Sequence, residues 1–255
     1  MKAGIVGLPN VGKSTLFNCL SNAKAQSANF PFCTIEPNIG VVNVPDARLE
    51  ILEKLVNPER VMPATVEIVD IAGLVKGASK GEGLGNKFLA NIRETDAIIH
   101  VLRCFDNDNI VHVDANIDPV RDKETIDMEL QLKDLETLEK KLDKVKKASR
   151  TGDKAAIKEL DILTKVKENL EAAISVRAIE FSDKEREEFI VPLQLLTDKP
   201  VLYVCNVDEA SAVSGNDYVN QVMEAVKDEN AEVLVLAVAT EADIMELEEY
   251  EERQM

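Results

Sequence analysis

The chain has 255 residues, 45% of them hydrophobic, so it is long enough to bury the core of one large or two small domains. Its 47 acidic residues outnumber its 30 basic ones, and the net charge of −17 excludes a protein that coats nucleic acid along its whole surface. No apolar run approaches the length that spans a bilayer, and the four cysteines form no C-x-x-C pair. We therefore expect a cytoplasmic protein with reduced cysteines, no membrane contact and at most local contact with nucleic acid.

Short β-branched runs along the chain predict six strands. Several of them are apolar on both faces, as expected of central parallel strands covered by helices, whereas residues 40–44 could form an edge strand. We predict an α/β fold, with a mostly parallel sheet and helices on both faces. The predicted strands are residues 3–6, 39–44, 66–69, 98–102, 201–205 and 233–238.

Between about residues 118 and 199 the strand signals stop, and apolar residues recur at helical spacing. They predict two long antiparallel helices, with Gly152 ending the first and Asp153 capping the second. Ser182 and Glu185 have capping-box spacing, which predicts a third helix. We expect an α/β domain from residues 1–117 and 200–255 and an inserted helical domain from residues 118–199. The periodic residues are Met128, Leu132, Leu135, Leu138, Leu142 and Val145, then Leu160, Leu163, Val166, Leu170 and Ile174.

Residues 7–14 read Gly-Leu-Pro-Asn-Val-Gly-Lys-Ser and fit the pattern G-x-x-x-x-G-K-[ST] between a predicted strand and an amphipathic stretch. In such a loop the backbone N–H groups surround phosphates, Lys13 places a cation on the β and γ oxygens, and Ser14 offers its hydroxyl to Mg²⁺. The strand–loop–helix setting argues against a chance glycine turn. The predicted phosphate-binding residues are Asn10, Val11, Gly12, Lys13, Ser14 and Thr15.

The sequence Asp70-Ile71-Ala72-Gly73 follows the third predicted strand. Asp70 is expected to supply a carboxylate for Mg²⁺, and the Gly73 N–H to sense the γ-phosphate. Thr34 lies between the phosphate-loop helix and the next strand, where a hydroxyl could complete the Mg²⁺ shell when a triphosphate is bound. Taken alone, Thr34 would be an ordinary loop threonine.

Residues 7–14, 29–38, 70–86 and 100–113 closely resemble the YchF subfamily of Obg-like ATPases, and the resemblance extends over essentially the whole chain. It implies a Ras-like P-loop domain that carries a coiled-coil hairpin and is followed by a small TGS domain. The chain ends before any TGS domain, so we expect a truncated protein, with a genuine acidic tail as the alternative. The resemblance also implies a ribosome-associated switch that binds and hydrolyses ATP.

Guanine-reading relatives carry an N-K-x-D motif whose aspartate accepts two hydrogen bonds from the base. The corresponding residues here are Asn206, Val207 and Glu209. Glutamate cannot hold its carboxylate in the same bidentate position, and valine replaces the lysine whose stem would cover the base, so guanine selection is weakened. With the resemblance, this implies ATP as substrate and weaker binding of GTP. A GTP-preferring Obg-type enzyme is the alternative.

Ras-like enzymes position the attacking water with a glutamine directly after D-x-x-G, but Leu74 occupies that position and cannot form a hydrogen bond. Hydrolysis is therefore expected to be slow or stimulated by a partner. His112 could approach the γ-phosphate, with a packed or surface histidine as an equal alternative, and Asn10 could instead coordinate K⁺. Leu74 also favours a binding module with negligible turnover. A metabolic P-loop kinase is disfavoured because the arginines are too scattered to form a lid.

Residues 140–167 contain ten basic residues, including Lys146, Lys147, Arg150 and Lys158, against four acidic ones. A basic helix face is usually only a solvated surface, but a basic hairpin tip on an acidic body suits local contact with phosphates. Together with the resemblance, this predicts the ribosome as partner, through ribosomal RNA. We expect the chain to be a monomer.

Overall fold

In a computed structural model, residues 1–21, 38–71, 84–107, 116–150 and 152–247 are described. Their strands form one six-stranded sheet that is parallel except for one antiparallel pair at an edge. The predicted α/β fold is confirmed, including an edge strand formed from residues 39–43. The strands are β1 (Lys2–Val6), β2 (Ile39–Asn43), β3 (Thr65–Asp70), β4 (Ala97–Arg103), β5 (Val201–Asn206) and β6 (Glu232–Leu236). Their order in the sheet is β2-β3-β1-β4-β5-β6, and β2 and β3 are the antiparallel pair.

The helices begin where capping residues satisfy their first N–H groups. The Asp46 carboxylate accepts from the Arg48 N–H at the start of one helix, and the Asn216 side chain accepts from the Val219 N–H at the start of another. The core under the sheet contains Ile5 and Val101, both fully buried, as expected of central strands covered on both faces. The helices are α1 (Lys13–Ser21), α2 (Ala47–Val56), α3 (Leu84–Arg93), α4 (Pro119–Ser149), α5 (Lys154–Glu171), α6 (Asp183–Glu185), α7 (Asp217–Val226) and α8 (Val238–Glu246).

Helices α4 and α5 form the predicted antiparallel hairpin. Gly152 has a φ of +82° in the connection, and the Asp153 carboxylate accepts from the Ala155 N–H at 2.9 Å, so the predicted break and cap are confirmed. Ser182 and Glu185 form the predicted capping box at the start of α6. None of the helices in the described parts of the chain is long and apolar enough to cross a bilayer.

Helix α4 contributes to two separate cores. Its first half buries Ile126 and Leu130 against the sheet, whereas its second half buries Leu138 and Leu142 against α5. The first turns of α4 therefore pack with the α/β layer, although the predicted division at residue 118 assigns them to the inserted domain. The division into domains stays a prediction.

The predicted helix over the first half of α4 is confirmed, but two of its periodic apolar residues are exposed. Met128 and Leu132 do not join the apolar hairpin face, because they are 59% and 44% exposed. On the side of α4 that faces the segment after α5, buried polar residues make the contacts: the Gln131 side chain donates to the Ala173 carbonyl at 3.1 Å, and the fully buried Asp134 accepts from the Leu196 N–H at 2.8 Å. Helix α5 ends at Glu171, so the first half of α4 does not pack on it. It bonds instead to the backbone of the irregular segment between α5 and β5.

Candidate nucleotide-binding site

The site residues lie at the carboxyl edge of the parallel strands, where loops after neighbouring strands meet. The phosphate loop follows β1, and Asp70 ends β3 with its Cα beside that of Ile5 in the strand register. Asn206 ends β5 beside Arg103 of β4. The fold thus brings together residues that are far apart in the sequence.

The phosphate loop has a backbone that requires glycine at both ends. Gly7 has a φ of +154° and Gly12 a φ of +101°. A Cβ on Gly7 would lie 2.6 Å from the Val101 carbonyl oxygen, and one on Gly12 would lie 2.5 Å from the Asn206 side-chain nitrogen. Both glycines therefore permit close approach of the loop to the neighbouring strands, to β4 at Val101 and to the end of β5 at Asn206.

Lys13 is 8% exposed, and its Nζ donates to the Leu8 carbonyl oxygen at 2.7 Å, across the loop. Burial lowers the pKa of Lys13, and the negative charge of Asp70 partly opposes that shift. The positive charge of a buried ammonium is not balanced by a hydrogen bond to a neutral carbonyl. A phosphate group at the loop would supply the missing negative charge.

Ser14 and Asp70 face each other beside this loop. The Ser14 hydroxyl donates to Asp70 Oδ2 at 3.4 Å, while Asp70 Oδ1 is buried and has no hydrogen-bond partner among the described residues. A hydroxyl and a carboxylate oxygen are hard ligands of the kind that Mg²⁺ binds in phosphate-transfer sites, usually with help from the phosphates themselves. These residues fit the predicted Mg²⁺ site. Thr15 follows in the first turn of α1 and is exposed.

Asn206 joins three segments of the site. Its Nδ2 donates to the Val11 carbonyl oxygen at 2.9 Å, and its Oδ1 accepts from the Val238 N–H at 3.1 Å. The side chain is 5% exposed, so both bonds are protected from water. It therefore fixes the phosphate loop to β5 and to the first turn of α8.

The other two predicted base-reading residues differ in exposure. Val207 is 3% exposed and lies in the core below the sheet edge, with its N–H bonded to the Leu236 carbonyl. Glu209 is exposed and begins a short 3₁₀ turn that the Asp208 carboxylate caps by accepting from the Ser211 N–H at 2.9 Å. The Glu209 side chain is thus open to solvent at this edge, and its role as a base reader stays a prediction. Asn10 is also exposed, with a φ of 63°.

Four of the predicted residues lie outside the described parts of the chain: Thr34, Gly73, Leu74 and His112. Their roles stay predictions.

Two kinds of site contact were not predicted from the sequence: hydrogen bonds of backbone groups, and those of one buried cation, Arg103. The Leu8 carbonyl and the Val238 N–H carry no side-chain signal. Arg103 does: it ends an apolar strand and is 1% exposed, and its guanidinium donates to the carbonyls of Phe105 and Asn107 at 3.2 and 3.0 Å. An arginine at the end of an otherwise apolar strand could have indicated that its side chain bonds to the backbone of the loop after β4.

A mostly parallel sheet with a glycine-bounded phosphate loop between β1 and α1, and with Asp70 at the end of β3, defines a P-loop nucleotide-binding protein. Residues 2–140 match the family model described as 50S ribosome-binding GTPase. The chain is 54% identical, over its whole length, to the ribosome-binding ATPase YchF of Bacillus subtilis, of which it covers 70%. The same identity relates 98% of the chain to the ribosome-binding ATPase YchF of Escherichia coli O157:H7, of which it covers 68%. The chain belongs to the YchF family.

A solved structure extends this relationship to three dimensions. The structure of the Schizosaccharomyces pombe YchF GTPase matches the whole chain with a TM-score of 0.84 and 38% identity, and the match covers 70% of that protein. The bacterial relatives are named ATPases, whereas the solved structure is named a GTPase. These names disagree on the base, so the choice of nucleotide has to be argued from the residues of this chain.

Proposed function

We propose that this chain is a Mg²⁺-dependent ATPase that acts as a slow, partner-stimulated switch on the ribosome. The observation that carries the proposal is the meeting of Lys13, Asp70 and Asn206 at one edge of the sheet, where Asp70 retains a buried oxygen without a partner in the described residues. The names of the bacterial relatives support ATP hydrolysis and ribosome binding. The proposal implies a cytoplasmic protein.

The chain's own groups have distinct tasks in this proposal. The loop N–H groups and Lys13 bind the phosphates, with Lys13 exchanging its Leu8 carbonyl for a phosphate oxygen. Ser14 and Asp70 hold Mg²⁺, which when bound would neutralise charge on the phosphate oxygens. Thr34 and Gly73 are proposed to close on the γ-phosphate and thereby distinguish ATP from ADP.

Base choice is proposed to depend on Glu209. The residue is exposed at the sheet edge, and its side chain is one methylene longer than the aspartate of guanine readers. A competition of ATP against GTP on the purified chain tests this, and we expect tighter binding of ATP. Glu209→Asp is the matched variant, since it changes only the side-chain length, and it should shift the preference toward GTP. Tighter GTP binding by the unaltered chain would contradict the assignment.

The replacement for the missing glutamine is proposed to be His112, with a K⁺ ion at Asn10 as the alternative. Single-turnover hydrolysis distinguishes them: His112→Ala should slow the reaction if the histidine assists, and replacing K⁺ by Na⁺ should slow it if the ion does. Unchanged rates in both experiments would reject both ideas.

Ribosome binding is proposed to use the hairpin tip, which we define as Lys144, Lys146, Lys147, Arg150 and Lys154. These side chains are exposed, and no carboxylate oxygen of the described residues lies within 4.0 Å of their charged atoms. Along the stem the lysines are paired instead, as in Lys140 with Glu136 and Lys141 with Glu159, both at 2.7 Å. Lys158, another of the ten basic residues of this segment, is paired with Glu185 at 3.2 Å. The uncompensated cations are thus concentrated at the tip, as contact with RNA phosphates requires.

Co-sedimentation with ribosomes tests this surface. Lys146→Glu, Lys147→Glu and Arg150→Glu, combined, should weaken binding and reduce its dependence on salt, because each lost phosphate contact removes a released counterion. A matched control makes the same change of net charge at exposed cations elsewhere: Lys54→Glu, Arg60→Glu and Lys184→Glu. Equal binding of both triple variants would reject the hairpin tip as the contact. A monomer is expected throughout.

A further inference from the structure

Four charged side chains lie at the root of the hairpin, where its two ends meet the α/β layer. Lys123 and Asp127 lie near the start of α4, and Arg177 lies in a 3₁₀ turn that follows α5. Glu229 lies in the turn between α7 and β6. These four side chains, which we call the root cluster, are between 5% and 16% exposed.

The root cluster joins the two ends of the hairpin to each other and to the turn after α7. The Asp127 carboxylate accepts from Lys123 at 2.8 Å and from Arg177 at 3.1 Å, so it bonds both ends of the hairpin. Glu229 is paired with the same two cations, at 3.4 Å in the case of Arg177. It also accepts from the hydroxyl of Tyr203, the third residue of β5, at 2.7 Å. Glu229 therefore ties the hairpin both to the sheet and to α7.

The charges of the root cluster balance, with two cations against two carboxylates. Each carboxylate bonds both cations, so moving any member away leaves its partners short of one counter-charge in a place with little water. Hydrogen bonds also have a preferred length and direction, which apolar contacts lack. Further along, α4 buries Leu138 and Leu142 against α5 instead of against the sheet. The direction of the hairpin relative to the sheet is thus set at its root, by this cluster and by the packing of the first half of α4.

Helix α7 connects the root cluster with the nucleotide-binding edge of the sheet. At its start, the Asn216 side chain donates to the Cys104 carbonyl at 2.7 Å. The Tyr218 hydroxyl donates to Asp106 Oδ1 at 3.0 Å, so α7 bonds the segment after β4 twice. The Cys104 N–H donates to the carbonyl of Asn206, the residue that holds the phosphate loop, at 2.8 Å. The ten residues of α7 span about 15 Å, so a rigid element joins the nucleotide edge to the root cluster.

We propose that Glu229 is the positioning residue of the hairpin, and that α7 couples the nucleotide site to the hairpin tip through it. A shift of the segment after β4 on nucleotide binding displaces α7, and the root cluster converts that displacement into a tilt of the hairpin. The tip lies about 33 Å along α4 from Asp127, so a tilt of about 5° at the root moves the tip by about 3 Å. The coupling rests on the proposed function, in which the tip binds the ribosome.

Pulsed electron paramagnetic resonance tests the positioning role on the whole chain, without ribosomes. Spin labels are attached through unnatural amino acids at Lys147, in the tip, and at Asn220, an exposed residue of α7. We expect one narrow distribution of label distances in the chain that carries only the labels, and a broader or shifted one in Glu229→Gln, which removes the charge and keeps the side-chain size. Glu224→Gln is the matched control, since it removes the same charge from an exposed pair with Lys227. Equal distributions in the two variants would overturn the positioning role.

Co-sedimentation with ribosomes measures the coupling, with saturating ADP or a saturating non-hydrolysable ATP analogue. We expect the two ribosome affinities of the unaltered chain to differ at least about fivefold, and this ratio to fall below about twofold in Glu229→Gln but not in Glu224→Gln. Nucleotide affinity without ribosomes should stay within about twofold in both variants, because the turn before β6 lies at the edge of the sheet opposite the phosphate loop.

The outcomes separate the coupling from the proposed function. An undiminished ratio in Glu229→Gln, or equal ribosome affinities of the unaltered chain with the two nucleotides, would overturn the coupling. Absence of ribosome binding by the unaltered chain would refute the proposed function and the coupling that rests on it, and the label distances would still decide the positioning role. Tyr203→Phe removes only the hydroxyl that bonds Glu229 and takes the place of Glu229→Gln in both experiments if that variant fails to fold.

Discussion

Asn206→Ala is the substitution that most clearly separates stability from nucleotide binding. The Asn206 amide bonds the phosphate loop through the Val11 carbonyl and bonds α8 through the Val238 N–H, at 2.9 and 3.1 Å. Alanine removes both bonds and leaves two backbone groups at a site that is almost completely buried. The loop then loses its connection to β5.

The expected magnitude follows from these two bonds. A buried backbone group left without a partner costs about 1–3 kcal/mol, so the loss of two partners should lower the free energy of unfolding by about 2–6 kcal/mol. ATP affinity should fall at least about tenfold, which corresponds to about 1.4 kcal/mol, because the loop no longer holds its N–H groups toward the phosphates.

Urea unfolding and calorimetric titration with ATP measure the two effects. Asn216→Ala is the matched control, since Asn216 also makes two bonds, to the Cys104 carbonyl at 2.7 Å and from the Val219 N–H at 3.1 Å. The control should lose stability and keep most of its ATP affinity. If both variants lose affinity equally, Asn206 has no specific role in the loop and the reasoning is refuted.

Three further predictions concern other parts of the fold. Arg177→Met removes one of the two buried cations that pair with Asp127, leaving the cluster of Lys123, Asp127 and Glu229 one positive charge short, and should cost about 3–5 kcal/mol in urea unfolding. Lys227→Ala, at an exposed ion pair, should leave the midpoint unchanged. Burial lowers the pKa of His100 to about 4, so on acidification the unfolded chain takes up a proton at a higher pH than the folded chain does. The free energy of unfolding should therefore fall by about 2 kcal/mol from pH 7 to pH 5. His100→Phe should flatten this change, and equal pH slopes for the variant and the unaltered chain would contradict the prediction. Gly12→Ala should abolish measurable ATP binding because of the clash with Asn206, and normal binding would disprove that clash.

The sheet and the phosphate loop could be predicted because their signals are local. A β-branched run, a glycine-bounded loop and a capping residue each act over a few residues, as Asp153 and Ser182 show in the helical segment. The strand-end position of Asp70 likewise followed from the strand pattern, since parallel strands place their carboxyl ends together.

Contacts between distant segments carried no such signal. Helical spacing predicted the helix that contains Met128 and Leu132, but it does not reveal which neighbour a helix meets. Both side chains are exposed, whereas the Gln131 side chain reaches the Ala173 carbonyl. In the same way, Asn206 was predicted as a base reader, but its bonds to Val11 and Val238 depend on how β5, the loop and α8 pack.

The central claim is that this chain hydrolyses ATP slowly at the site of Lys13 and Asp70 and is accelerated on the ribosome. Steady-state phosphate release from ATP and Mg²⁺, with and without ribosomes, tests it most directly, with Asp70→Asn as the control. We predict slow release that ribosomes stimulate and that the control lacks. Absence of ATP hydrolysis in either condition, or equal release by Asp70→Asn, would contradict the claim.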